Sequence, residues 1–218
     1  MLLMGRSSPE VNHLGASCEL RDQRDVEIVR SAQRGDERAF AILVRTYQTQ
    51  VFNFVLRLVG DRSLAEDLTQ EIFLRVFQAL PAFSFRCKFT TWLFQVAKNR
   101  ALDELRARDR RPRRLVALDD LPVPEIVDAP HEQREAVAEI WQAIEALPVD
   151  LKMALLLRDL VGLRYTEIAD ALEINLSTVK WRIFKAREVV AEAFAEAGAS
   201  TGQRTRPAAD RPVAVGQR

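Results

Sequence analysis

The stretch from Tyr165 to Val190 contains two short runs of apolar residues at helical spacing, separated by a turn. Apolar residues that recur every three or four positions place one face of a helix in a core. The inward positions are Ile168, Ala169 and Leu172 in the first run and Leu176, Val179, Ile183 and Ala186 in the second. Asn175 stands where a side-chain oxygen can cap the second helix. The pattern predicts a helix-turn-helix within an all-α fold.

The turn of this motif carries an unusual residue. Turns between such helices often contain Gly, whose missing Cβ permits a left-handed backbone. Here the turn is Glu173-Ile174. Glu173 must therefore accept whatever backbone angle the turn imposes.

The second helix of the motif is strongly basic, although the whole chain has a formal net charge of only +1. Charges on an amphipathic helix usually just face solvent, but Trp181 and Phe184 among the cations are harder to explain that way. The second helix of a helix-turn-helix enters the major groove, where outward side chains contact base edges and phosphates. Arg182 is a further phosphate candidate. The candidate DNA contacts are Ser177, Thr178, Lys180, Trp181, Phe184, Lys185 and Arg187.

The charges of the chain are segregated along the sequence. Residues Ser84 to Arg114 hold ten Lys and Arg against three acids, a balance of +7. Residues Leu115 to Leu151 hold nine acids against one Arg, a balance of −8, and three prolines interrupt their first part. Proline at this density without a sustained period indicates a linker. The sequence thus predicts two small helical domains joined by a flexible acidic linker.

The predicted domain boundaries follow from these changes in composition. They are a disordered extension at 1–21, a first helical domain at 22–112, the linker at 113–133, a helix-turn-helix domain at 134–196 and a disordered tail at 197–218.

Within the first domain, one predicted helix has a distinct acidic face. The sequence Ser63-Leu-Ala-Glu66 has the form of a capping box that would open this helix. Its inward positions are Leu68, Ile72 and Val76. Asp67, Gln70 and Glu71 are three and four positions apart, so they share an outer stripe.

The basic segment also contains many aromatic residues. Phe83, Phe85, Phe89, Trp92 and Phe94 alternate with Arg86, Lys88, Lys98 and Arg100. Aromatic rings stack on unpaired bases while basic side chains hold the backbone, a combination suited to single-stranded or melting DNA. Alternatively most of these rings belong to the core, which helical spacing supports for Phe94 and partly for Phe89.

The sequence gives no positive indication of an enzyme. We predict no catalytic residue, cofactor or metal site, because Cys18, Cys87, His13 and His131 lack ligand-spaced companions and no Gly-rich phosphate loop occurs. The longest apolar runs are too short for a spanning helix or a signal peptide, so a cytoplasmic location is expected. Cys87 is either a redox sensor or simply a small residue.

Three motifs resemble a known family. They are "AEDLTQEIFLRVFQAL", "FTTWLFQVAKNRALDELRAR" and "ALPVDLKMALLLRDLVGLRYTEIADALEINLSTVKWRIFKAREVV". Together they look like regions two and four of bacterial extracytoplasmic-function (ECF) sigma factors, over roughly Asp25 to Val190. The resemblance implies an all-helical, two-domain promoter-recognition subunit of RNA polymerase.

The resemblance also implies residue roles. The helix with Asp67, Gln70, Glu71 and Phe73 would dock on a coiled coil of the polymerase largest subunit. The helix from Trp92 to Arg108 and the loop before it would bind and open the minus-ten element, through Phe83, Phe85, Arg86, Lys98, Asn99 and Arg106. The recognition helix would read the minus-thirty-five element through the seven contacts named above. The linker would thread through the polymerase channel that later carries RNA, and an anti-sigma factor is an expected partner.

Two positions depart from the family pattern. The loop usually reads Phe-Arg-Gly, whereas Phe83 is followed here by Ser84-Phe85. Arg164 stands where a Ser usually caps the helix, so Thr166 is an alternative cap. A free-standing helix-turn-helix regulator remains the alternative function, with an enzyme a distant third. The basic aromatic helix paired with the acidic stripe favours a sigma factor, since a simple repressor needs neither.

Overall fold

A computed structural model of the chain describes residues 23–110 and 131–202. The predicted N-terminal extension, most of the linker and the end of the tail lie outside these ranges. The helices are α1 (residues 23–33), α2 (Glu37–Val59), α3 (Arg62–Ala79), α4 (Phe89–Asp109), α5 (His131–Glu145), α6 (Val149–Asp159), α7 (Tyr165–Leu172) and α8 (Leu176–Gly202), with a 3-10 turn at Leu80–Ala82. No strand occurs in the described ranges, and the prediction of an all-α fold is confirmed. Helix α5 begins within the predicted linker, and α8 continues past the predicted start of the tail.

Helices α2, α3 and α4 pack together as the first bundle. Leu43, Tyr47 and Phe54 of α2 are spaced so that they share one helix face, and they are almost completely buried. The α2 helix begins at an Asp36 cap, whose Oδ1 accepts from the backbone N–H groups of Arg38 and Ala39, and it ends at Gly60 with φ 71°. These local signals fix both ends of the longest helix in this bundle.

The predicted capping box at Ser63-Glu66 is wrong. Helix α3 begins two residues earlier, because Asp61 Oδ1 accepts a hydrogen bond of 3.0 Å from the backbone N–H of Leu64. The other carboxylate oxygen of Asp61 pairs with Arg108 at 3.3 Å, and this ion pair also anchors the end of α4. Asp and Ser are comparable caps, and the carboxylate gains an additional charge interaction at the helix start.

Helices α5, α6 and α8 form the second bundle, with α7 packed across α6 and α8. The predicted helix-turn-helix is confirmed by α7, the turn and α8. Asn175 Oδ1 accepts from the backbone N–H of Thr178 at 2.7 Å and so caps α8. Thr166 does not cap α7, which begins after Arg164, where the Glu167 carboxylate accepts from the Arg164 backbone N–H at 2.7 Å. Helix α6 begins after Pro148, and Asp150 lies inside its first turn.

The two bundles pack against each other. Helix α4 contacts α7, and α2 contacts α6. The helix-turn-helix therefore lies directly beside the basic helix of the first bundle.

Candidate nucleic-acid interface

The recognition helix α8 exposes two large aromatic side chains. Trp181 is 59% exposed and Phe184 is 68% exposed. Lys180 is exposed beside them, while Val179 and Ile183 are buried beneath. Exposed rings bordered by cations are typical of surfaces that bind another molecule.

The hydroxyl groups at the start of α8 are tied to its cap. Ser177 Oγ and Thr178 Oγ1 donate to Asn175 Oδ1 at 2.7 and 2.8 Å. Their protons are therefore engaged within the first turn, and their oxygens remain available as acceptors. Both residues lie at the N-terminus of α8, where backbone N–H groups favour a phosphate. Any contact that these two residues make with DNA would therefore be made at this end of the helix.

Several cations of α8 already have acidic partners. Arg182 pairs with Asp150 at 2.9 Å and Arg187 with Asp159 at 2.7 Å. The Asp159 carboxylate raises the pKa of Arg187. Lys185 pairs with Glu188 at 2.6 Å, and this carboxylate raises the pKa of Lys185. A phosphate would have to compete with these carboxylates for the same donors.

Helix α4 carries three of the predicted minus-ten contacts, Lys98, Asn99 and Arg106, and these lie in two different environments. Asn99 and Arg106 are exposed, and Arg106 lies 3.7 Å from Asp103. Lys98 is only 5% exposed, and its Nζ donates to Glu173 of the helix-turn-helix turn at 3.2 Å. The described conformation therefore leaves Asn99 and Arg106 accessible and covers Lys98.

The loop before α4 contributes to a cluster of tilted aromatic rings. Phe83 is buried, with its ring 4.9 Å from both Phe85 and Trp92. Phe85 has φ 58°, a left-handed conformation unusual for a bulky residue, and Arg30 lies 5.5 Å above its ring. Arg86 is exposed. Phe83 thus acts as a core residue here, while Phe85 and Arg86 form the loop surface.

A cavity of about 290 Å³ lies between this loop and α1. Its lining includes Arg86, Cys87 and Lys88 from the loop and Asp25 from α1. Asp25 is buried and accepts a hydrogen bond from the Tyr47 hydroxyl. Sequence reasoning missed Asp25, because nothing in the local pattern of α1 shows that it folds over a loop more than fifty residues away.

The environment of Cys87 bears on its two alternative roles. Burial, followed by the Asp170 carboxylate, raises the pKa of the Cys87 thiol. Reactive cysteines need a stabilised thiolate. The environment therefore favours the simple packing role.

A separate surface lies on the outer face of α3. Asp67 and Gln70 are exposed, but Phe73 is buried and Glu71 pairs with Arg100 of α4 at 2.6 Å. Sequence reasoning missed the exposed apolar side chains of Leu74 and Phe77. They border a groove of about 540 Å³ between α2 and α3, whose lining residues are Glu37, Phe40, Val44, Gln48, Thr69, Gln70, Phe73, Leu74 and Phe77.

Two family models match the chain. Sigma-70 region 2 matches residues 43–111, and Sigma-70 region 4 matches residues 138–189. The RNA polymerase sigma-H factor of Pseudomonas aeruginosa is 38% identical over 80% of this chain and 96% of its own length. The ECF RNA polymerase sigma-E factor of Escherichia coli K12 is 37% identical over 76% of this chain and 92% of its own length.

Solved structures share the fold. CnrH in complex with the cytosolic domain of CnrY has a TM-score of 0.60 at 21% identity, covering 77% of this chain and 95% of that chain. The sigma factor RpoE of Bartonella quintana, solved with the anti-sigma factor NepR, has a TM-score of 0.59 at 21% identity, covering 71% and 95%.

The chain belongs to the ECF group of the sigma-70 family. It is a sigma factor that directs promoter-specific transcription initiation by RNA polymerase. Among residues 23–110 and 131–202, no helix has the length and hydropathy required to cross a bilayer. Within the same ranges, no cluster of His, Cys, Asp and Glu is suited to a metal ion.

Proposed function

We propose that the three surfaces described above divide the work of promoter recognition. The exposed face of α8 reads the minus-thirty-five element in the major groove. The loop before α4, with Asn99 and Arg106, binds the unpaired minus-ten strand. The outer face of α3 docks on a coiled coil of the polymerase largest subunit. The observation that carries the proposal is the exposure of Trp181 and Phe184 on the second helix of a helix-turn-helix.

On α8, the proposed readers combine donors with apolar surface. Lys180 can donate to guanine O6 or N7, and the rings of Trp181 and Phe184 can contact thymine methyl groups or sugars. Arg182 and Arg187 border this surface and would hold flanking phosphates after exchanging their carboxylate partners. Ser177 and Thr178 would accept hydrogen bonds from DNA through their hydroxyl oxygens at the start of α8. Lys185 is the remaining proposed contact on this helix.

On the first domain, the proposed minus-ten site is at the cavity beside the loop before α4, which aromatic rings and cationic side chains border. Phe85 and Arg86 form its outer edge, and the cavity beside them has space for one unpaired base. Extruding a base costs a few kcal/mol, which stacking and edge hydrogen bonds must offset. Phe83 supports the loop from below, and Lys98 would join the site once its present partner leaves.

On α3, the proposed polymerase contact combines charge with an apolar groove. Asp67 and Gln70 supply polar contacts, and Leu74 and Phe77 supply the exposed apolar area typical of an interface core. Glu71 would act on this contact indirectly, because its carboxylate is paired with Arg100. The buried ring of Phe73 would hold α3 in position against the core.

The experiment that tests the assignment is transcription by purified core polymerase with the full-length chain. A library of promoter fragments would be selected for transcribed products. Enriched minus-ten and minus-thirty-five sequences, both required for product, are expected. Transcripts from promoters that carry only one of the two elements, with any sequence in place of the other, would contradict the proposal that each domain recognises one element.

We further propose a cytoplasmic location, at the polymerase, and regulation by an anti-sigma factor. Support for the latter comes from RpoE of Bartonella quintana, whose solved structure holds the anti-sigma factor NepR. The domain boundaries 22–112 and 134–196 are part of the same proposal. A specific anti-sigma factor should abolish transcription that depends on this chain and leave transcription by another sigma factor intact. A protein that abolishes both transcription reactions would not be such a partner.

A further inference from the structure

Helix α1 lies outside the part of the chain that the Sigma-70 region 2 model matches, which begins at residue 43. It is nevertheless anchored in the first bundle, because Val29 is completely buried and Ile28 and Ala32 pack against the same core. Other side chains of α1 contact the loop before α4 or line the cavity beside it. The function proposed above gives none of these contacts a role.

Gln33, the last residue of α1, holds the start of this loop. Its Nε2 donates to the backbone carbonyl of Leu80 at 2.9 Å and to that of Phe83 at 2.8 Å. These two carbonyls lie at the two ends of the 3-10 turn that leads into the loop. A side-chain amide has two N–H donors, and both are engaged here. Gln33 therefore fixes the position from which the loop leaves the core.

Arg30 lies three residues before Gln33, on the same face of α1. Its guanidinium carbon is 5.5 Å from the centre of the Phe85 ring, within the range of about 6 Å for a cation–π contact. Phe85 is the loop residue with φ 58°, a conformation that a bulky side chain rarely adopts. Arg30 thus holds the ring of the residue whose backbone most needs support.

Helix α1 also forms one wall of the cavity of about 290 Å³. Asp25 and Val26 line it from α1, and Phe85 and Arg86 line it from the loop. Because the walls belong to two separate segments, the shape of the cavity depends on how the loop is held against α1. Groups that recognise a ligand must be kept within about 0.5 Å of the productive geometry. Contacts between α1 and the loop therefore bear directly on what the cavity accepts.

We propose that α1 is a positioning element of the minus-ten site, in which Gln33 and Arg30 hold the loop in the conformation that accepts the unpaired base. This inference rests on the proposed assignment of the loop to minus-ten DNA. Without these two contacts the loop would populate other conformations, in which the cavity has a different shape. Selectivity at the base bound in the cavity should then fall, whereas reading of the minus-thirty-five element by the other domain should not change.

The test uses substitutions in the full-length chain. Gln33→Glu keeps the size of the side chain but replaces both N–H donors by acceptor oxygens, so the two hydrogen bonds are lost. Gln33→Lys retains donors and should restore them. Gln23→Glu makes the same change at an exposed position of α1 and is the matched control. Arg30→Leu removes the cation from the Phe85 ring, and Arg24→Leu, also exposed on α1, is its control.

The measurement is selection of transcribed products from a promoter library with core polymerase, compared position by position. Gln33→Glu and Arg30→Leu should each reduce enrichment of the preferred base at one minus-ten position about fivefold, the lower end of the loss for a base contact. Enrichment in the minus-thirty-five element should stay unchanged. Gln33→Lys and the two controls should give the preferences of the parent. Urea denaturation of each protein measures its stability in parallel.

The outcomes separate the inference from the proposed function. Unchanged minus-ten preferences in Gln33→Glu and Arg30→Leu would overturn the positioning role. Fewer transcripts from all promoters alike, with lower stability and the same preferences, would show a purely structural role and overturn it as well. Arg30 is exposed, so Arg30→Leu should fold and keeps the test decisive even if Gln33→Glu does not fold. A parent chain without any minus-ten preference would instead reject the proposed function.

Discussion

Arg100 on α4 holds the Glu71 carboxylate of α3 at 2.6 Å, and a second Arg100 nitrogen lies 3.2 Å from Glu104. The pair links the proposed polymerase-binding helix to the proposed minus-ten helix. The hydrogen bond from Arg100 is the main cause that lowers the pKa of Glu71. Glu71 is therefore a structural residue of the first domain as well as a member of its acidic face.

This pair gives a pH-dependent contribution to stability. Because the folded state lowers the pKa of Glu71, the contribution is present above the ordinary glutamate value of about 4.3 and is lost as pH falls through the lowered value. At pH 7, Glu71→Gln should lower the free energy of unfolding by under about 1 kcal/mol, since the carboxylate is half exposed. Urea denaturation at several pH values measures this. A difference that persists undiminished at pH 3 would contradict the origin we give it.

Asp67 offers a cleaner test of the polymerase contact than Glu71, because its carboxylate is exposed. Asp67→Lys should weaken binding to core polymerase at least about fivefold, equivalent to roughly 1 kcal/mol, with unchanged unfolding. Glu66→Lys makes the same charge change on the adjacent face of α3 and serves as the control. Fluorescence titration with core polymerase measures both. Equal affinities for the Asp67 variant and the parent would remove Asp67 from the interface.

The sequence predicted what depends on local patterns. Apolar spacing of three and four predicted the helices of the helix-turn-helix, and the cap at Asn175 was predicted from residue type alone. The two helices of the helix-turn-helix and its turn were predicted for the same reason, since they are contiguous. The prediction that Leu176 points inward is wrong, because its side chain is exposed in the first turn of α8. Family resemblance then supplied the candidate surfaces.

Contacts between distant segments could not be predicted in this way. Glu173 and Lys98 are 75 positions apart, and only the folded chain shows that they meet. The acidic stripe correctly placed Glu71 on the outer face of α3, but nothing local to α3 shows that Arg100 of α4 pairs with it. The family resemblance implied a DNA contact for Phe83, yet its ring is buried against Trp92 and Phe85.

Lys180 should determine base preference at one position of the minus-thirty-five element. Lys180→Ala is expected to cost about 1–3 kcal/mol on the preferred sequence and to relax selectivity there. Binding to a library of upstream elements, read by sequencing, measures this. An unchanged preference across the library would exclude Lys180 from the reading set.

Arg187 should behave differently, because it is expected at a phosphate. Arg187→Ala should weaken binding to all sequences alike and flatten the dependence of affinity on salt. Its carboxylate partner provides a matched test: Asp159→Asn frees the Arg187 guanidinium and should strengthen binding to all sequences. Salt titrations of duplex binding measure both. Weaker binding by the Asp159 variant would show that the pair positions Arg187 for DNA instead of competing with it.

The backbone of Phe85 connects the unusual loop to the family pattern. The usual sequence there is Phe-Arg-Gly, and Phe85, which replaces the Gly, keeps a left-handed φ of 58°. A non-Gly residue in this conformation costs roughly 1–2 kcal/mol. The ring lies 4.9 Å from Phe83 and 5.5 Å from Arg30, and these contacts offset the strain. The loop therefore has a backbone conformation suited to Gly while it presents an aromatic ring beside the cavity.

Grafting the family sequence should then change what the loop reads without unfolding it. Ser84→Arg with Phe85→Gly removes the ring and relieves the backbone strain, so the domain should remain folded. We expect an altered preference at one minus-ten base and no change upstream, because only the edge of the cavity differs. Transcription from minus-ten libraries measures the preference, with pre-melted templates to separate base reading from melting. The two single variants show which substitution is responsible. If the double variant keeps every minus-ten preference of the parent, the loop is not the reader, and the exposed residues Asn99 and Arg106 of α4 become the next candidates.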